Sequence, residues 1–234
     1  MTSPGGSDKL EHSSRQYEAE LRELKEKLLM MGSRIEDLIK DSMHALVERD
    51  TDLAKKVIAG DHPVNRLELE IDELCLKLLA LRQPTAVDLR FITLGLKIVA
   101  DLERVGDLAV NIAERAIELN AEPPLKPYID LPKMAGLVQG MLKKALDAFV
   151  SEDVDLAQAV LKADDEIDAL NHKIFEELVD YMGRNKDNIK RACRLMFVSR
   201  YLERIADHAT NVAEMVIFMV QGRDIRHMYS AGLT

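Results

Sequence analysis

Tryptophan is absent from the 234 residues, and aromatic residues make up only 4% of them. Any core must therefore be aliphatic. Leu, Ala, Met, Glu and Lys dominate in their place, and these favour helix, whereas sheets draw on Val, Ile, Thr and aromatics. An all-α fold is expected. Cysteine is also scarce. Cys75 and Cys193 stand too far apart for a metal or redox motif. Their apolar neighbours imply buried free thiols in a reduced, cytoplasmic protein. Long apolar runs are missing as well. The longest, Met215 to Val220, falls short of the ~20 residues that cross a bilayer. The stretch Met1 to Ser14 is polar and rich in Gly and Ser, unlike a signal peptide. Positive charge is in deficit, with 32 Lys and Arg against 41 Asp and Glu, a net of −9. Phosphate backbones would be repelled overall, which excludes sequence-independent nucleic-acid binding. The basic run Lys186, Lys190, Arg191 and Arg194 reads as a solvated helix face.

Catalytic signatures are lacking too. There is no Gly-rich phosphate loop, nucleophile elbow or nucleotide fingerprint. A carboxylate-bridged di-metal enzyme of the ferritin-like class needs Glu-x-x-His on two helices. No histidine here has a Glu three residues before it, and Asp41/His44 and Asp224/His227 are the nearest approach.

What is present is helical periodicity. From Gln16 to about Arg49, Leu21, Leu24, Leu28, Met31, Ile35, Leu38 and Leu46 recur at the steps of one helical face. Asp50-Thr51-Asp52 signals a new helix start, and that helix should run to about Arg82. Gly60 and Pro63 imply a kink or restart within it, because proline removes a backbone hydrogen bond. Pro84 is placed to open a third helix, with Phe91, Leu94, Ile98, Leu102, Val105, Ala109, Ile112 and Ala116 as an unbroken stripe. Four prolines break the pattern between Asn120 and Pro132. Three more helices are expected near 133–151, 153–183 and 187–221, the last ended by Gly222.

The second half repeats the first. At a shift of 100, Asp101–Arg115 (DLERVGDLAVNIAER) lies on Tyr201–Met215 (YLERIADHATNVAEM) with eight of fifteen positions identical, where unrelated helices would share about one in fifteen. Asp52-Leu53-Ala54 lies on Asp155-Leu156-Ala157 at a shift of 103, which puts a three-residue deletion at the second hairpin turn. The expected organisation is two tandem antiparallel three-helix bundles related by a pseudo-two-fold, with units at 16–120 and 133–222, a linker at 121–132, a disordered tail at 1–15 and a C-terminal tail at 223–234.

Each third helix carries the same polar set: Glu103, Asp107, Asn111 and Glu114, then Glu203, Asp207, Asn211 and Glu214. The set runs beside the apolar stripe, where unpaired carboxylates are costly. Arg104 and Arg204, three residues from Asp107 and Asp207, offer helix-surface ion pairs as the plain alternative. A hairpin supplies a further reading. Asp61 stands as far before Pro84 as Asp107 stands after it, and Asn65 and Glu103 are likewise matched. In the second unit Asp164 is level with Asp207, and Asp168 with Glu203. Eight residues thus become candidate metal ligands: Asp61, Asn65, Glu103 and Asp107, and Asp164, Asp168, Glu203 and Asp207. Oxygen donors of this kind suit Mg, Mn or Fe over structural Zn. Asn65 in place of an acid implies a weaker first site. His62 and His208 adjoin the set and are read as surface or supporting residues.

The strings ALVERDTDLAKKVIAGD, LLALRQPTAVDLR, LERVGDLAVNIAERA and LERIADHATNVAE resemble the PhoU family across nearly the whole chain after Gln16. The resemblance implies two tandem three-helix bundles with metal-binding acidic clusters. It also implies an accessory regulator that restrains phosphate uptake and the phosphate-starvation response. The implied partners are a phosphate transporter's ATPase subunit and a membrane sensor histidine kinase, met without insertion into the membrane. A homodimer is expected, and regulation by binding without turnover. The di-metal enzyme and a purely structural bundle are the rival readings.

Overall fold

A computed structural model describes residues 6–222, and among them there is helix and no strand. The elements are α1 (Gly6–Val47), α2 (Thr51–Ala59), α3 (Asp61–Arg82), α4 (Ala86–Asn120), α5 (Asp130–Ser151), α6 (Val154–Arg184), a short 3-10 turn (Lys186–Asn188) and α7 (Ile189–Gln221). Helix α1 packs on α3 and α4, and α5 packs on α6 and α7. These are the two expected bundles. Residues 1–5 and 223–234 of the expected tails lie outside the described residues. Helix α1 itself starts ten residues before Gln16, where a polar stretch without an apolar stripe masked its continuation.

The first turn of each unit is built twice by the same chemistry. Asp50 caps α2, its Oδ1 accepting from the backbone N–H of Asp52 at 3.0 Å and of Leu53 at 2.9 Å. Asp153 caps α6 in the same way, accepting from Leu156 at 3.0 Å. Such caps satisfy N–H groups left free at a helix start. The residue before each cap, Arg49 or Glu152, is left-handed, at φ 59° and 60°. The two turns superpose in sequence at the shift of 103.

The units differ in the next element. Helix α6 is continuous, whereas its counterpart breaks at Gly60 into α2 and α3. Pro63 then falls in the first turn of α3, where its missing N–H has no helical partner to lose. The expected restart is found here. Pro84 lies before the Thr85 cap of α4, not inside the helix. Helix α5 starts at Asp130, three residues earlier than expected, because Pro132 occupies a tolerated first-turn position. Gly222 ends α7 at φ 66°, and its N–H donates to the Phe218 carbonyl at 2.8 Å.

The apolar stripe of α4 is buried as expected, Leu102 and its counterpart Leu202 completely so. One core runs through both bundles, since α4 packs on α7 and α1 on α5. Close approach of α1 to α5 requires Gly32, where a β-carbon would come within 2.2 Å of Leu146 Cδ1. The Phe91 and Phe149 rings stack at 4.7 Å across the same seam. Cys75 is buried, and burial pushes its thiol up to about 12. Cys193 is only partly covered, contrary to expectation, because the face of α7 that carries it lacks a covering helix.

Candidate functional site

In each hairpin the acids of one helix act electrostatically on those of the other. In the second unit Asp164 and Asp168 on α6 lie in the electrostatic field of Glu203 and Asp207 on α7. The Asp164 carboxyl is pushed up to about 6, first by burial and then by the charges of Asp168 and Asp207. Burial and the Asp207 charge also raise Glu203, outweighing the opposing Arg200 guanidinium. Arg200 pairs with one carboxylate oxygen of Glu203. The other, Oε2, is buried without a partner, on a side chain only 12% exposed.

In the first unit Asp61 begins α3, next to the free N–H groups of a helix start, which favour negative charge. Its Oδ2 accepts from the Asn65 amide at 2.7 Å. Asp61 Oδ1 and Asn65 Oδ1 are both buried without a partner. Glu103 is raised by burial first and then by Asp107, with Arg104 opposing and Glu68 and Asp61 adding to the shift. The arginine alternative is present in geometry but weak. Arg104 reaches Asp107 at 3.5 Å and Glu103 at 3.6 Å from a side chain that is mostly in solvent. An exposed pair of this kind contributes about 0–1 kcal/mol, and burial still dominates both glutamates.

Glu68 stands within the electrostatic field of this set, and the reading from sequence missed it. Burial raises it first, followed by Asp72, with Asp107 and Asp61 adding to the shift and Arg104 opposing it. Its counterpart at the shift of 103 is Asn171, just as the counterpart of Asn65 is Asp168. Acid and amide have changed places one helical turn apart. With Glu68 the first unit sets four carboxylates, Asp61, Glu68, Glu103 and Asp107, beside Asn65, as many as the second. The signal was visible as Asn65-x-x-Glu68 against Asp168-x-x-Asn171, which only the paired repeat discloses.

His208 stands at the edge of the second cluster, within electrostatic reach of Asp207. Its Nδ1 lies 2.8 Å from Asp101 Oδ1 and links α7 to α4 across the two units. His62 is exposed. Among the described residues, no three His, Cys, Asp or Glu side chains are gathered closely enough to hold a metal ion as they stand. The donor chemistry nevertheless fits a hard cation: all oxygen, with buried oxygens on Asp61, Asn65 and Glu203 that nothing else satisfies.

Two segments, residues 28–116 and 131–216, each match the PhoU domain. The "Phosphate-specific transport system accessory protein PhoU homolog" of Pseudomonas putida is 43% identical over 219 residues, covering 93% of this chain and 85% of that one. The "Phosphate-specific transport system accessory protein PhoU" of Escherichia coli K12 is 36% identical over 217 residues, covering 93% and 90%. The crystal structure of PhoU from Pseudomonas aeruginosa superposes with a TM-score of 0.85 at 41% identity, covering 88% of this chain and all of that one. The phosphate transport system regulatory protein PhoU from Streptococcus pneumoniae gives 0.81 at 27% identity, covering 89% and 98%.

Proposed function

The chain belongs to the PhoU family, and on that premise we propose that it regulates phosphate transport through protein contacts, restraining uptake and starvation signalling. The observation that carries this reading is the match of both repeats to the family, with the acidic strip kept in each. Among the described residues no helix is long and apolar enough to cross a membrane. Contact with a transporter's ATPase subunit and a membrane sensor kinase would then be made as a peripheral partner, by a homodimer in the cytoplasm. Regulation without turnover fits a site of carboxylates that lacks a nucleophile–base pair.

In this reading each acidic cluster holds a Mg, Mn or Fe-type cation. Asp61, Asn65, Glu103 and Asp107, joined by Glu68, would serve the first unit, and Asp164, Asp168, Glu203 and Asp207 the second. Such a cation offsets the repulsion among buried carboxylates and stiffens the hairpin that carries them. The carboxylates themselves set the charge of the outer face of each bundle, which is the surface a partner meets.

The test is genetic and direct. Deleting the gene should raise phosphate uptake and phosphate-responsive expression in phosphate-rich medium, and the wild-type chain should restore both. A deletion strain with unchanged uptake and expression would overturn the regulatory reading. Rescue by a Glu203→Gln/Asp207→Asn chain equal to rescue by wild type would remove the acidic site from the mechanism.

A further inference from the structure

The outer face of the second hairpin carries an open groove of about 550 Å³ between α6 and α7. Phe175 and Phe197 flank it at 53% and 51% exposure, with Cys193 and Met196 also lining it. A hydrogen bond from Ser199 Oγ to Asn171 Oδ1 at 2.6 Å ties the two helices together beneath it. Two of the five phenylalanines in the chain are thus left half in water at one place. Contiguous exposed apolar surface of this kind marks interaction sites.

The fold does not require these rings. At the repeat shifts, Phe175 corresponds to Asp72 and Phe197 to Lys97, both charged. Cys193 corresponds to Thr93. The first unit makes the same hairpin with polar or charged residues at these three positions. Its exposed apolar residues nearby, Leu69 and Leu76 at the counterparts of His172 and Val179, are aliphatic. The aromatic pair is thus a property of the second unit alone.

The groove also has a direction. Toward the hairpin turn the apolar stripe continues through exposed Val179 on α6 and Ile189 on α7. In the opposite direction it ends at Asp168 and Arg200, and since Arg200 is already paired with Glu203, the neighbouring Asp164, Asp168 and Asp207 leave this end acidic. The stripe is longer than a small ligand needs, and its acidic end asks for positive charge. We propose that this groove receives an amphipathic helix of another protein, whose apolar side chains seat between Phe175 and Phe197 and whose Lys or Arg residues, one or two turns further on, meet the acidic strip. Helix-in-groove recognition uses apolar anchors at helical spacing, and charge complementarity fixes the direction of the bound segment.

The probe is a dye-labelled synthetic helical peptide with two leucines one turn apart and lysines on the same face beyond them. Its twin carries glutamates in place of the lysines. Binding is read by fluorescence anisotropy in chelator, which leaves the acidic strip free of any cation that it holds in the cell. The test variant is Phe175→Asp/Phe197→Lys, which installs the residues of the first unit, with its fold checked by circular dichroism. The basic peptide should bind wild type roughly tenfold or more tighter than the variant, as loss of aromatic anchors implies. It should also bind more tightly than its acidic twin, and lose affinity as salt rises. Equal binding to wild type and a folded variant would overturn the proposal, as would equal binding of the two peptides. Self-association of wild type that the variant abolishes would assign the groove to a second copy. Binding of a synthetic 223–234 peptide, lost in the variant, would assign it to the chain's own C-terminal segment. Either result would overturn the proposal.

Discussion

The two hairpins share one plan and differ in how each is held. The first is entered by a helix of 42 residues, the second by one of 22. The longer α1 reaches past its own bundle turn and is fastened there by buried Glu20, which accepts from Arg82 at 2.9 and 3.0 Å and pairs with Lys77 at 3.0 Å. Tyr17 donates to Asp88 at 2.8 Å alongside. At the shift of 103, Glu20 falls on Pro123, in the segment joining the units. The second unit is continuous where the first breaks at Gly60, and apolar where the first is charged at Asp72 and Lys97. Through all these changes each unit keeps four carboxylates that act electrostatically on one another across its hairpin. Duplicated helices evidently tolerate new ends and new outer faces, whereas the acids beside the core stay.

The largest test of that likeness is in the core. Leu102→Ala and Leu202→Ala remove matching, fully buried side chains, so each should destabilise by about 2–5 kcal/mol. Chemical denaturation should find the two costs within roughly 1 kcal/mol of each other, a spread ordinary among core sites. A much larger gap would show that the bundles are unequal beneath their common pattern.

The acidic clusters come next. A cation at about a hundredfold over its Kd stabilises by ~2.7 kcal/mol, a rise of several degrees in Tm for a chain of this length. Glu203→Gln/Asp207→Asn should lose the share of that gain due to the second unit, and Glu103→Gln/Asp107→Asn a comparable share due to the first. Titration with Mg or Mn in a thermal melt checks both. Glu68→Gln sharpens the comparison, since it should weaken the first site alone. If Glu68→Gln leaves the first site unchanged, Asn65 rather than Glu68 is its fourth donor.

Glu20→Gln probes the fastening that only the first unit has. Arg82 holds the Glu20 carboxyl below its usual range despite burial. Replacing the anion should cost about 1–3 kcal/mol, the range for a charged hydrogen-bond partner. Urea denaturation would measure it, and no loss would mean that α1 is held by its apolar contacts alone.

The smallest effect is in pH. Asp164, Glu203 and Asp207 are raised in the folded chain, as are Glu68 and Glu103. Between the unfolded value of 3.8 and the folded value of about 6 for Asp164, the folded state binds more protons than the unfolded one. Stability from this source is complete below that window and lost as pH rises through it. The chelated protein should therefore melt at a slightly higher temperature at pH 5 than at pH 7, and saturating cation should flatten or reverse the trend. A chelated wild type whose Tm falls on going to pH 5 would contradict the raised carboxylates.

Much of this was legible in sequence because it depends on local period. Helix count, the restart near Gly60, the helix start at Asp50, the Gly222 stop and the duplication all follow from steps of three and four and from turn residues. That Asp61 and Asp164 come within electrostatic reach of the acids on the following helix follows as well, since a short hairpin converts sequence distance into height. What only tertiary structure decided is which neighbours share an environment. Glu68 shares the field of Asp61 and Asp107 once α3 packs on α4, and His208 reaches Asp101 of the other unit. The fastening at Glu20, the seam at Gly32 and the uncovered face at Phe175 and Phe197 depend on how the bundles pack. Periodicity says which side of a helix is apolar, but the partner that covers it, or fails to, is fixed by contacts between residues far apart in the chain.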